Sequence, residues 1–303
     1  MIGAIFTTVF FALSAVTGQR VAVNLGSIWG NAVRLFIAAV VLGVIVFLAW
    51  PDSVGGKPFL WFLLSGVVGF GIGDVALFLA YERIGSRLTI LLNLCLAPLF
   101  AMGLEWIWLG SGISIKVAAC AAIILAGVTL ALRPGAKSRQ KMMRRGSFGF
   151  GVFCAVIAGF GQGTGAVISR KAEEAAADVG MVINGISAAF QRVLAGFLFA
   201  ALVVILIRFF SSNQQWKQWG NPLNPKLAPW LLGAALFGPV IGVSCFQWAL
   251  SSLQSGIVLA VVATTPIVMI PLAAWNEHDH PSRLALVGAL LAVAGVVLLN
   301  VWA

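Results

Sequence analysis

Three observations predict an all-α integral membrane protein of ten transmembrane helices in two inverted five-helix repeats. Hydrophobic residues make up 61% of the 303, where soluble domains hold roughly 45–50%. Mean hydropathy is +1.03. The two halves also share an ordered series of residues, the sign of an internal repeat.

A bilayer core of about 30 Å needs about 20 apolar helical residues. The runs that meet this demand are Ile2–Val23, Asn31–Trp50, Phe59–Tyr81, Leu88–Trp108 and Ser114–Leu132, then Phe148–Ser169, Val182–Ile207, Ala228–Leu250, Leu253–Trp275 and Leu284–Trp302. Five precede and five follow Arg133–Arg145, which carries six cations (Arg133, Lys137, Arg139, Lys141, Arg144, Arg145) and no acid. The expected organisation is a first repeat over 1–132, a basic linker over 133–147 and a second repeat over 148–303. Ala12-Leu13-Ser14-Ala15 resembles a signal-peptide cleavage site, but no basic region precedes Ile2 and the run continues to Arg20. It therefore reads as the first span. The longer connection, Arg208–Lys226, is polar with Trp and Pro, as expected at an interface.

At an offset of 169, Trp61 matches Trp230, Gly69 matches Gly238, Gly73 matches Gly242, Ala80 matches Ala249 and Ser86 matches Ser255. The register then slips by one, pairing Pro98 with Pro266 and Ala126-Gly127-Val128 with Ala294-Gly295-Val296. Thr17 and Gly18 match Thr164 and Gly165 at 147, and Arg34 corresponds to Arg192. With five spans per unit, the second copy enters the membrane from the opposite side. Such inverted repeats place a transporter's substrate site near mid-membrane, at their interface.

The +10 net charge would point to a polyanion in a soluble protein. Here most cations lie between apolar runs, where they orient the chain against membrane lipid, so no nucleic-acid partner is expected. Arg20, Arg34, Arg83, Arg87, the six of the linker, Arg208, Lys217, Lys226 and Arg283 fall on one face, against Lys57, Lys116, Arg170 and Lys171 on the other. The positive-inside rule then makes the linker cytoplasmic and puts both termini outside. Cys95, Cys120, Cys154 and Cys245 sit singly in separate runs and read as small buried hydrophobes. His278-Asp279-His280 lacks a remote ligand set, so no metal is expected, and no cofactor motif is present. A membrane-embedded enzyme or lipid-handling scaffold, one alternative, would need clustered catalytic polar groups, which the sequence lacks. A passive channel is the other alternative to a carrier.

Asp74 is the one acid within a span, about 10 Å in from Tyr81. An ionisable group at that depth is by default functional: a proton site or substrate-ammonium contact, or else a structural partner of Arg34, Arg192 or a helix end. Arg34 and Arg192 read either as structural cations or as carboxylate binders, a task that suits the guanidinium fork. Ser14, Asn93, Gln162, Thr164, Gln247, Thr264 and Thr265, with Phe78, Tyr81 and Trp248 as walls, are the expected substrate pathway. Pro98, Gly238, Pro239, Pro266 and Pro271 interrupt helical hydrogen bonding and mark expected hinges. The stripes Ser65/Gly69/Gly73, Gly159/Gly163 and Gly161/Gly165 allow close helix approach.

The halves, Arg34 in NAVRLFIAA and the run GIGDVALFLAYERIGSRLTILLNLCLAPLFA together resemble the ten-helix, two-repeat EamA-type transporters of the drug/metabolite transporter superfamily. The resemblance covers nearly the whole chain. It implies alternating-access export or exchange of small organic solutes, amino acids among them, across a bacterial inner membrane, with YddG-like aromatic amino-acid exporters as the nearest type. The membrane-embedded Glu that small four-helix relatives carry in their first helix has no counterpart in Ile2–Val23, so their proton coupling does not transfer. Family members are often drawn with cytoplasmic termini, opposite to the charge count. The resemblance leaves oligomeric state open, with a monomer sufficient.

Overall fold

The computed structural model describes residues 1–109, 115–131, 147–210, 219–253, 255–277 and 281–302. The basic segment 133–145 and the His278-Asp279-His280 cluster lie outside the described residues. The helices are α1 (Ile2–Leu25), α2 (Ser27–Ala49), α3 (Gly56–Gly66), α4 (Asp74–Leu109), α5 (Ile115–Ala131), α6 (Phe148–Ala177), α7 (Gly185–Phe210), α8 (Ala228–Ala235), α9 (Val243–Ser252), α10 (Ser255–Val262), α11 (Thr265–Glu277) and α12 (Arg283–Trp302). Among the described residues seven runs are long and apolar enough to cross a membrane, and Ala119–Ala131 and Arg283–Leu299 are shorter apolar helices. Large apolar side chains such as Leu48, Ile115, Leu198 and Phe209 stay exposed on the outside, while Ala, Gly and small polar residues fill much of the interior. That inversion suits a lipid surround, where close packing holds helices together.

Boundaries follow local chemistry. Gly26 at φ 89 separates α1 from α2, and Trp50-Pro51 ends α2 because Pro51 opens a short 3-10 turn. The expected loop between Tyr81 and Leu88 is instead helical apart from Gly85, whose φ of 77 and ψ of 170 turn the chain within a 53-residue run, Gly56–Trp108. α6 continues past Ser169 to Ala177, so Arg170, Lys171, Glu173 and Glu174 are helical. Ser147 caps its start by accepting from Phe150 N at 3.4 Å.

Two π-helical segments interrupt the α-geometry, Val67–Gly73 between α3 and α4 and Leu236–Gly242 between α8 and α9. They coincide at the same 169-residue offset that aligned the halves. π-segments within α-helices commonly mark functional sites.

Packing is also paired between halves. α2 lies on α7 and α5 on α12. α1 packs on α8, its π-segment and α11, as α6 packs on α3, the other π-segment and α4. The glycine stripes make these contacts. A Cβ on Gly161 would lie 2.7 Å from Gly73 Cα, and one on Gly159 would lie 3.0 Å from the Asn93 carbonyl. One stripe of α6 therefore faces the first π-segment and the other faces α4. In the α5–α12 pair the glycine of each matched triplet meets the partner helix, a Cβ on Gly127 falling against Ala292 N and one on Gly295 falling 2.8 Å from Ile124 Cγ1.

Candidate functional site

Asp74 is the first residue after the first π-segment, and its carboxylate is ion-paired with Arg34 Nη2 from α2. Arg34 also donates to Asn31 Oδ1 at 3.2 Å, and its guanidinium carbon lies 4.7 Å from the Phe78 ring centroid. Its Nε has no hydrogen-bond partner. Tyr81 packs edge-on against Phe78 at 5.5 Å. Gly18 of α1 leaves room for both rings, since a Cβ there would sit 3.3 Å from Tyr81 and 3.4 Å from Phe78. Gly238 does the same for Arg34, whose Nη1 would lie 3.1 Å from an added Cβ.

A cavity of about 60 Å³ opens between these groups. It brings together Ser14, Asp74, Tyr81, Asn93, Gln162, Gly238 and Pro239 with Arg34, from helices of both halves. Phe11, Phe70, Leu77, Ile90 and Val243 complete the wall and were not expected from sequence. Asn93 Oδ1 and Gln162 Nε2 have no partner in the protein. Asn93 and Gln162 line a space large enough for a few waters, while this acceptor and this donor stay buried and unpaired, at a cost of about 1–3 kcal/mol each.

Arg192, the repeat counterpart of Arg34, lies behind this wall. Its guanidinium carbon is 5.3 Å from the Phe70 centroid, and Nη2 would lie 3.0 Å from a Cβ on Gly69 and 3.3 Å from one on Gly165. Arg192 is 2% exposed and its Nε has no hydrogen-bond partner. The two arginines thus use equivalent glycines in opposite π-segments, Gly238 for Arg34 and Gly69 for Arg192.

Other expected pathway residues lie elsewhere. Thr164 donates to the Phe160 carbonyl, Thr264 to Val261 and Thr265 to Val262, each at 2.6 Å, so these hydroxyls are spent on local backbone. Gln247 is fully buried with both amide atoms unpartnered. Trp248 is 51% exposed and lines an apolar groove of about 570 Å³ with Trp50, Ile186 and Cys245. Of the hinge candidates, Pro239 sits in the second π-segment and Pro266 follows a turn at Ala263–Thr264 that separates α10 from α11. Pro98 and Pro271 lie inside helices that continue through them.

Contacts between the halves lie on either side of the cavity along α4. Glu277, ending α11, accepts from Ser86 N at 3.2 Å and from Ser86 Oγ. At the other end Glu105 of α4 accepts from Ser255 Oγ at 2.8 Å. The two serines are the matched pair of the 169-residue offset. Arg20 donates to Asn276 Oδ1 at 2.8 Å, and Trp29 stacks on Trp219 at 5.5 Å.

A bundle of apolar helices with a cavity lined from two related halves is the plan of a membrane transporter, and the family match gives that class. The chain belongs to the EamA-like transporter family, whose family model matches residues 1–133 and again 149–301. No curated protein matches it. A solved crystal structure of an 18% identical protein superposes with a TM-score of 0.64 over 100% of this chain and 96% of its own. At that identity the likeness extends to the fold.

Proposed function

We propose that this chain is a secondary transporter that exports or exchanges small organic solutes, amino acids or related metabolites, by alternating access around the cavity. The observation that carries the reading is a cavity lined from both halves by Ser14, Asp74, Asn93 and Gln162, with Asn93 Oδ1 and Gln162 Nε2 left without partners in the protein. A bound solute would supply their missing partners.

The topology behind the proposal is ten spans in two inverted repeats. The 53 residues of Gly56–Trp108 are too long for one crossing, at about 80 Å of helix. Counting that run as two passes with reversal at Gly85, and adding α5 and α12, gives five spans on each side of the linker. The matched π-segments and the paired packing support the relation. The charge distribution favours a cytoplasmic linker, external termini and an inner membrane. Asp74 is proposed as the group whose ion pair with Arg34 is exchanged for substrate ammonium or a proton during transport. The cavity of about 60 Å³ is small beside pockets of about 300–1,000 Å³ that hold larger ligands. An aromatic amino acid would need an opened state.

Counterflow of labelled amino acids in proteoliposomes is the test. Saturable, trans-stimulated uptake is expected. Flux linear in concentration would instead mean a channel. Unchanged rate and pH dependence in Asp74→Asn would remove Asp74 from the mechanism.

A further inference from the structure

The two halves place an arginine at equivalent positions but supply a carboxylate to only one. In the first half, Arg34 pairs with Asp74, the residue that follows the π-segment. In the second half the equivalent of Asp74 is Val243, which follows the other π-segment and is 4% exposed. Val243 lies in one apolar cluster with Phe70 and Val193. Arg192 therefore stands where Arg34 stands, but among the described residues it has no carboxylate in ion-pair contact: Asp74 acts on it only through space, from its seat against Arg34.

What Arg192 has in its place is the Phe70 ring at 5.3 Å. A ring face offsets only part of what desolvating a buried guanidinium costs. Phe70 also lines the cavity. The ring is thus the partition between the cavity and an under-compensated guanidinium.

We propose that Arg192 is the binding site for the carboxylate of the transported solute, which takes the place that the symmetry leaves to Val243. The inference rests on the carrier reading and names the chemistry of its substrate. A small organic acid or amino acid enters with its carboxylate past the Phe70 ring onto the guanidinium, whose planar fork matches it. Its remaining polar groups meet Asn93 Oδ1 and Gln162 Nε2. Arg34, Asp74 and Arg192 together carry one net positive charge, which a single carboxylate neutralises.

The test uses the purified full chain and matched probes: the common L-amino acids, their carboxamides and their 2-oxo acids. Thermal stabilisation is read for the natural sequence and for Arg192→Gln, Arg192→Lys and Val243→Asp. Stabilisation is expected from one or more free carboxylates and from none of the matching amides. Arg192→Gln should weaken it at least tenfold and Arg192→Lys less. Val243→Asp installs the missing counterion, so it should keep or raise the melting temperature of the empty protein and abolish the response. Equal responses to acid and amide, a full response in Arg192→Gln or in Val243→Asp, or no carboxylate that stabilises the natural sequence would each overturn the proposal. Counterflow with the same probes separates the two readings. Carboxylate-dependent stabilisation without counterflow keeps this site and removes the carrier. Counterflow that is indifferent to the carboxylate removes the site and keeps the carrier.

Discussion

Replacing Asp74 by Asn removes the carboxylate from a pair whose side chains are 13% and 5% exposed. Removing one partner of such a buried pair costs about 3–5 kcal/mol, because the other charge is left uncompensated. Two neighbours soften the loss. Asn31 Oδ1 remains 3.2 Å from Arg34 Nη2, and the Phe78 ring lies 4.7 Å from the guanidinium. The lower end, about 3 kcal/mol or some two orders of magnitude in the unfolding equilibrium, is the expected effect. Arg34→Met should cost a similar amount by stranding the carboxylate. The double variant Arg34→Met with Asp74→Asn should lose at least ~1.5 kcal/mol less than the sum of the two, since residues in contact couple by about 0.5–3 kcal/mol. Equilibrium unfolding in detergent micelles measures all three. A single Asp74→Asn within about 0.5 kcal/mol of the natural sequence, the range of an ordinary surface substitution, would refute the reasoning. So would strict additivity in the double variant.

Gly161→Ala should destabilise by about 1–3 kcal/mol through overpacking, because its Cβ would lie 2.7 Å from Gly73 Cα. Gly103→Ala, with nothing within 4 Å of the added Cβ, should gain up to about 1 kcal/mol of helix propensity; thermal unfolding of both variants checks the contrast. Ser86→Ala with Glu277→Gln should raise the labelling rate of a cysteine placed at Asn93 by a thiol reagent added from the linker side, and leave labelling from the other side unchanged. Neutralising the six linker cations should disturb orientation more than substrate preference, and a reporter-fusion map that stays unchanged would count against the charge count. Trp219→Ala removes a ring stacked at 5.5 Å and 5° on Trp29 and should cost about 0.5–1.5 kcal/mol beyond the lost area, read by the same unfolding assay.

Much of the helical bundle was legible because apolar runs of bilayer length admit few other structures. The reversal at Gly85 was legible only as polarity. Glu82, Arg83, Ser86 and Arg87 read as a loop, yet backbone helix runs through all but the glycine. The π-segments left no periodicity to find, although VVGFGIG and LFGPVIG share glycines at matched positions. Within the site, Asp74, Arg34 and Arg192 stood out as charges in apolar runs, but which arginine holds the acid is a three-dimensional fact. Phe70 could not be told from the other 20 phenylalanines by sequence. Trp248 went astray by one helical step. Val243, Phe246 and Gln247 turn inward, and the next residue, about 100° further round, faces the outer groove.

The contacts at the two ends are built alike but are not equal. Each uses a serine at the start of a helical stretch and the glutamate near the end of the antiparallel helix from the other half. At Ser86, the carboxylate of Glu277 takes the backbone N–H with both oxygens at 3.2 Å and the hydroxyl as well, and Gly85 lets it approach, since a Cβ there would lie 2.7 Å from Oε2. A carboxylate on the first N–H of a helix also gains from the helix dipole. At Ser255, Glu105 takes the hydroxyl, at 2.8 Å. Hydrogen bonds to a charged acceptor contribute about 1.5–3 kcal/mol each, so among the described residues the Ser86 end is held by at least one such bond more. Arg20 on Asn276 and the Trp29–Trp219 stack add to that same end. On the proposed alternating-access reading, opening the Ser255 end would break fewer of the described bonds than opening the Ser86 end.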